Sequence, residues 1–245
     1  MEYTKPFLSI NEQIEKLKSD GILFDKLESD AALFFQTNNF YRFKGYALSF
    51  QDESKKFSNV HFKDVTDLYF FDHRLRLLLF EAISQIEITL RAQIVYQYAL
   101  KYGSHWYLDS SLFKEGNDKI DFHQSFLNAV DDEISRSRDL FISHYQDIYC
   151  KPTLPPCWMC LEVISFGSLS KKLYSNLVEN ECKTAIAAYF GVSPTILQSW
   201  LNHIAVIRNI CAHHSRLWNR TLPRIQNNSK YYIRFQGSKN ICISV

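Results

Sequence analysis

KDVTDLYFFDHRLRLLLFEAISQIEITLRAQIVYQYALKY, Lys63 to Tyr102, is the stretch that decides the fold class. Leu75, Leu78, Leu79, Ala82, Ile83, Ile86, Leu90, Ile94 and Tyr98 recur at spacings of three and four, with charged residues between them. That period is the mark of an amphipathic helix. The stretch holds neither Gly nor Pro, and Gly103 comes directly after it. Its length exceeds that of ordinary globular helices, so a break is expected near Phe71-Asp72.

Working outward, the same grammar continues. Ile10, Ile14 and Leu17 predict a first helix ending at about Asp20, with Gly21 as its stop. A second is expected from Asp25 to about Asn38, ahead of the aromatic segment Phe40–Tyr46. Downstream, helical patterning resumes from Asp121 to about Arg138, and Pro152, Pro155 and Pro156 read as a linker. Helical pieces come next at Trp158–Ser165, Ser168–Leu177 and Glu181–Phe190. Ser193-Pro194 then opens a last helix expected to reach Asn219. Strands are assigned nowhere, although Tyr231–Phe235 has some strand character. The expected fold class is all-α.

Composition agrees. Hydrophobic residues make up 46% of the 245 and aromatics 15%, enough to build a core and to exclude global disorder. No segment reaches about 18 uninterrupted apolar residues, so no membrane span or membrane partner is expected. The N-terminus lacks the apolar run of a signal peptide, and the six cysteines read as reduced thiols of a cytoplasmic protein.

The net charge of +2 says nothing about partners, but its distribution does. From Arg208 onward there are seven basic side chains and no Asp or Glu. A basic end on a neutral body suits a phosphate-bearing partner; the alternative is a solvated tail.

Inside the last helix lies Arg208-Asn209-Ile210-Cys211-Ala212-His213-His214. Stepping roughly 100° per residue from Arg208, Asn209, His213, Arg216 and Arg220 share a strip between about 80° and 140°. His214 falls near 240°, among apolar residues, so the wheel favours His213 as the solvent-facing imidazole. Imidazole can give or take a proton near neutrality. Guanidinium groups match charge developing on phosphate oxygens. This residue set suits acid/base chemistry at a phosphate and requires no metal or other cofactor. A helix with one satisfied histidine and surface arginines is the competing reading.

Four blocks in order resemble the Abi-like (AbiD/AbiF-type) bacterial abortive-infection family: NNFYRFKGYALSF (38–50), FFDHRLRLLLFEAISQIEITLRAQIVY (70–96), LPPCWMCLEVISFGSLSKKLYSNL (154–177) and RNICAHHSRLWNR (208–220). That family resembles a branch of the HEPN superfamily, helical domains that include many metal-independent ribonucleases. The resemblance implies Arg208 as phosphate binder, Asn209 as polar helper and His213 as acid/base, with His214 as second candidate. It leaves Arg216 and Arg220 to RNA, and Glu87 and Arg91 as support for the motif helix. The implied organisation is an N-terminal helical and aromatic extension (1–60), a HEPN-like core (61–222) and a basic tail (223–245), expected to form one compact unit overall. One motif per chain implies a homodimer with a composite site. An antitoxin or a non-coding RNA is the further partner that a phage-defence toxin would bring. A non-catalytic protein holding a structured RNA is the alternative function.

Other features are weighed more lightly. Glu87 and Arg91, four apart, suit a structural helix pair, and Glu162 poses the same choice between structure and function. Cys157-x-x-Cys160 has metal or redox spacing but reads better as two small buried residues. Tyr41, Phe43 and Tyr46 with Arg42 and Lys44 interleave aromatics and cations as base-stacking surfaces do. Core burial is the preferred reading of those aromatics.

Overall fold

Ser9 begins the first helix by a reciprocal cap: its hydroxyl accepts from the Glu12 amide, while the Glu12 carboxylate accepts from the Ser9 amide at 2.7 Å. The resulting α1, Ile10–Ser19, buries Ile14 and Leu17. Ser9→Ala should cost about 1 kcal/mol, read as a lower midpoint of urea unfolding. Gly21 ends the turn beyond α1 with φ +103°. A Cβ there would lie 2.4 Å from the Phe57 carbonyl oxygen, so both the conformation and the contact require glycine.

The structure, a computed structural model, describes residues 2, 4, 6–116 and 121–222. Among these the fold is all-α, as the periodicity predicts, apart from one parallel pair of two-residue strands, β1 (Ile22–Leu23) and β2 (Val60–His61). The strand character at Tyr231–Phe235 and the basic residues beyond Pro223 lie outside the described residues.

Two compact units are distinguished: Met1–Leu79 with His213–Arg220, and Phe80–Ala212. The first holds α1, α2 (Glu28–Thr37), α3 (Phe40–Ala47) and the start of α4 (Phe62–Tyr102). Helix α2 starts three residues later than expected, because Asp25 and Lys26 sit at φ +49° and +68°, outside helical space. The core of this unit is aromatic. Phe62 stacks on Phe24 at 5.2 Å and on Phe43 at 5.3 Å, and Phe35 meets Phe43 edge-on at 5.3 Å. The aromatic motif therefore divides. Phe43 and Tyr46 are core, whereas Tyr41 is 68% exposed.

Helix α4 runs unbroken for 41 residues, roughly 60 Å. The expected break at Phe71-Asp72 is absent because Asp72, fully buried, is paired with Arg76 one turn on. Gly103, at φ +85°, closes the helix. The predicted apolar stripe is buried from Ile83 through Ile86, Leu90, Ile94 and Tyr98, but Leu78 is 69% exposed.

The second unit gathers the rest of α4 with α5 (Phe122–Arg136), α6 (Leu140–Ile148), α7 (Cys157–Val163), α8 (Glu181–Tyr189) and α9 (Pro194–Ala212). Ser168–Tyr174 forms a π-helix, where Ser175 N–H donates five residues back to the Ser170 carbonyl at 3.1 Å. The expected proline linker is packed instead: Pro155 and Pro156 are buried, and the Tyr107 hydroxyl donates to the Pro155 carbonyl at 2.6 Å. Cys157 and Cys160 are buried thiols; burial pushes Cys160 up to about 12, which keeps it protonated. No helix among the described residues is long and apolar enough to cross a membrane.

Candidate functional site

Residue Arg208 lies one turn before the end of α9, and its surroundings belong to the second unit. Its Nε sits 3.8 Å from Glu87 Oε2, and its guanidinium carbon lies 5.9 Å from the centroid of the Phe80 ring. The side chain remains one-third exposed. At 3.8 Å the pair is an ion pair without a hydrogen bond, and Nε has no hydrogen-bond partner.

The other oxygen of Glu87 accepts from Arg91. Arg91 in turn donates to the carbonyls of Leu161, Glu162 (3.2 Å) and Ile164 (2.9 Å), the orphan acceptors at the C-terminal end of α7. Glu87 and Arg91 thus form the intrahelical pair that their spacing predicts, and Glu87 also faces Arg208. A single carboxylate orients both cations. Glu87→Gln should lower stability by about 1 to 2 kcal/mol, the difference between charged and neutral hydrogen bonds; urea unfolding with an unchanged slope would show it. Glu162 contributes its backbone carbonyl, while its residue surface is exposed.

The two histidines belong to the first unit. The last helix does not reach Asn219 but stops at Ala212, with His213 and His214 in a turn. His214 adopts φ +53°, the left-handed conformation that terminates helices. Long-range contacts hold the turn and the residues after it. Arg42 of α3 donates to the His214 carbonyl, and Arg216 donates to the Gly45 carbonyl. Asp72 accepts the amides of Leu217 at 3.3 Å and Trp218 at 2.7 Å. The strip of Asn209, His213, Arg216 and Arg220 on one helix face is therefore corrected, since the helix ends before its second member. The placement of His214 among apolar side chains is corrected for the same reason. Asn209, His213, His214 and Arg220 are all exposed, and Arg216 is part-buried against α3.

Beneath that turn lies a buried network that sequence reasoning missed. Asp72 accepts from Arg76 and from the Tyr46 hydroxyl at 2.6 Å, and Arg76 also donates to Tyr46 Oη at 3.1 Å. Burial first, and then the adjacent carboxylate, push the Tyr46 phenol up to about 12. The one available signal was Asp72 and Arg76 at i, i+4 with Tyr46 in the aromatic motif. On a wheel such a pair reads as solvated surface.

The arrangement places a partly exposed guanidinium oriented by a carboxylate in one unit, and two exposed imidazoles on a pinned turn in the other. The R-x(4)-H sequence straddles the division between the units. A family model described as Abi-like protein matches residues 33–219. No curated protein matches the chain, and no solved structure does. The matched span includes α3, Asp72, Glu87 and the whole motif from Arg208 to His214, and by it the chain belongs to the Abi-like protein family.

Proposed function

We propose that the chain is a metal-independent endoribonuclease of HEPN type that acts as an abortive-infection effector. Membership in the Abi-like family implies abortive infection, a defence against phage. The observation that carries the ribonuclease reading is Arg208, a guanidinium held by Glu87 and Phe80 yet one-third exposed, within the R-x(4)-H motif. A purely structural arginine would resemble Arg91, which is buried and spent on carbonyls.

In this reading Arg208 binds the scissile phosphate and stabilises the charge that grows on its oxygens. His213 moves the proton. The ribose 2′-oxygen attacks phosphorus as its proton is removed, and the bond to the 5′-oxygen breaks as that oxygen is protonated. The products carry a 2′,3′-cyclic phosphate and a 5′-hydroxyl. Asn209 and His214 assist, and Arg216 and Arg220 meet flanking phosphates. A second copy of the chain supplies the second motif, so the working form is a homodimer with a cytoplasmic site of action.

The test is incubation of the full chain with single-stranded RNA in EDTA. Cleavage with cyclic-phosphate ends is expected, from a species of dimer mass by light scattering. RNA bound but left intact would transfer the assignment to a non-catalytic RNA-binding protein. RNA neither bound nor cut would remove both readings.

A further inference from the structure

Helix α3 turns one side toward the histidine-bearing turn. Arg42 reaches the His214 carbonyl, and the Gly45 carbonyl accepts from Arg216. Tyr41 lies beside Arg42 and one turn before Gly45, so Tyr41 and Gly45 share a face. Two properties of that face are not required by folding, although the Tyr41 ring meets Phe40 edge-on at 6.1 Å. Tyr41 is 68% exposed, whereas Phe43 and Tyr46 of the same helix are buried to 0% and 1%. Gly45 sits inside a helix, where glycine is unfavourable relative to alanine. A Cβ there would meet no heavy atom within 4 Å, so packing does not demand its absence.

The charge of the surroundings identifies an occupant. Helix α3 carries Arg42 and Lys44 and no carboxylate, and His213–Arg220 carries Arg216 and Arg220 and no carboxylate. A guanidinium has five N–H donors, so a bond to a carbonyl leaves donors for phosphate. An exposed aromatic ring, open surface over a helical glycine and nearby cations are what an unpaired nucleotide needs. We propose that Tyr41, with the open surface over Gly45, is the platform on which an unpaired RNA base stacks next to the His213–His214 turn. This rests on RNA being the substrate, and it specifies single-stranded RNA at that position.

Binding is measured by fluorescence anisotropy with a 2′-O-methylated single strand of about 12 nucleotides, which lacks the attacking hydroxyl. Tyr41→Ala should weaken binding by about 5- to 150-fold, the range for loss of one stacked base. Tyr41→Trp should retain it. Gly45→Ala should weaken binding while raising the thermal midpoint, a combination that a structural role for glycine would not produce. Wild-type affinity in Tyr41→Ala overturns the platform, as does an equal loss on an RNA duplex, whose bases are already stacked. A chain that still cuts RNA while ignoring Tyr41→Ala loses the platform alone. One that neither binds nor cuts RNA loses the substrate reading, and the platform with it.

Discussion

Replacing His213 with alanine should cut the rate of RNA cleavage by about two to four orders of magnitude. That corresponds to about 3 to 5 kcal/mol of barrier, the scale of a positioned acid or base. The same variant should unfold at the wild-type denaturant concentration, because the His213 side chain is exposed and the turn is held through other residues. His214→Ala discriminates between the neighbours. The conformation and carbonyl of His214 serve the turn, so its replacement should cost far less activity. Initial rates on one RNA, measured beside urea unfolding, check both. Equal loss in the two variants would return the choice of histidine to an open state, and full activity in His213→Ala would end the assignment of the acid/base.

The second large effect is on stability. Asp72→Ala should cost about 3 to 5 kcal/mol, the penalty for stranding one partner of a buried ion pair. Asp72 and Arg76 have side chains 0% and 4% exposed. Removing the carboxylate leaves the guanidinium buried without its counter-charge, and the amides of Leu217 and Trp218 lose their acceptor. Adding Arg76→Leu should recover most of the charge penalty, because a pair removed together leaves no stranded charge. About 1 to 3 kcal/mol should persist for the orphaned amides. A double variant no more stable than Asp72→Ala would show that the amides, and not the ion pair, dominate. Global unfolding in urea provides the comparison.

Local rules were legible where they act locally. The start of α9 at Ser193-Pro194, the stop of α1 before Gly21 and the paired Glu87 and Arg91 are all set by nearest-neighbour chemistry. The features that were not legible depend on residues far apart in the chain. The end of α9 has no glycine or proline at its stop; a left-handed histidine held by Arg42, 172 residues earlier, does that work. Likewise Asp72 mimics a helix breaker until its partners Tyr46, Arg76 and Trp218 are in place. Helix α6 escaped notice because its buried face is only Ile142 and Tyr145, while Leu140 and Ile148 are 86% and 58% exposed, so no continuous apolar stripe marks it. At the candidate site, residue types pointed to phosphate chemistry, but the burial that separates Arg91 from Arg208 required three dimensions.

The long span of the Arg42 bond also sets an order in time. A chain grows from its N-terminus, and the bonds to His214, Arg216 and Trp218 join residues 42 to 72 with the last stretch of the family-matched region. Until Leu217 and Trp218 have been added, Asp72 lacks two of its donors and the turn bearing His213 lacks part of what holds it. A prematurely terminated product ending at residues 208–212 carries Arg208 but neither His213 nor His214. Both candidate histidines are therefore set in place only once this last stretch of the matched region has been made.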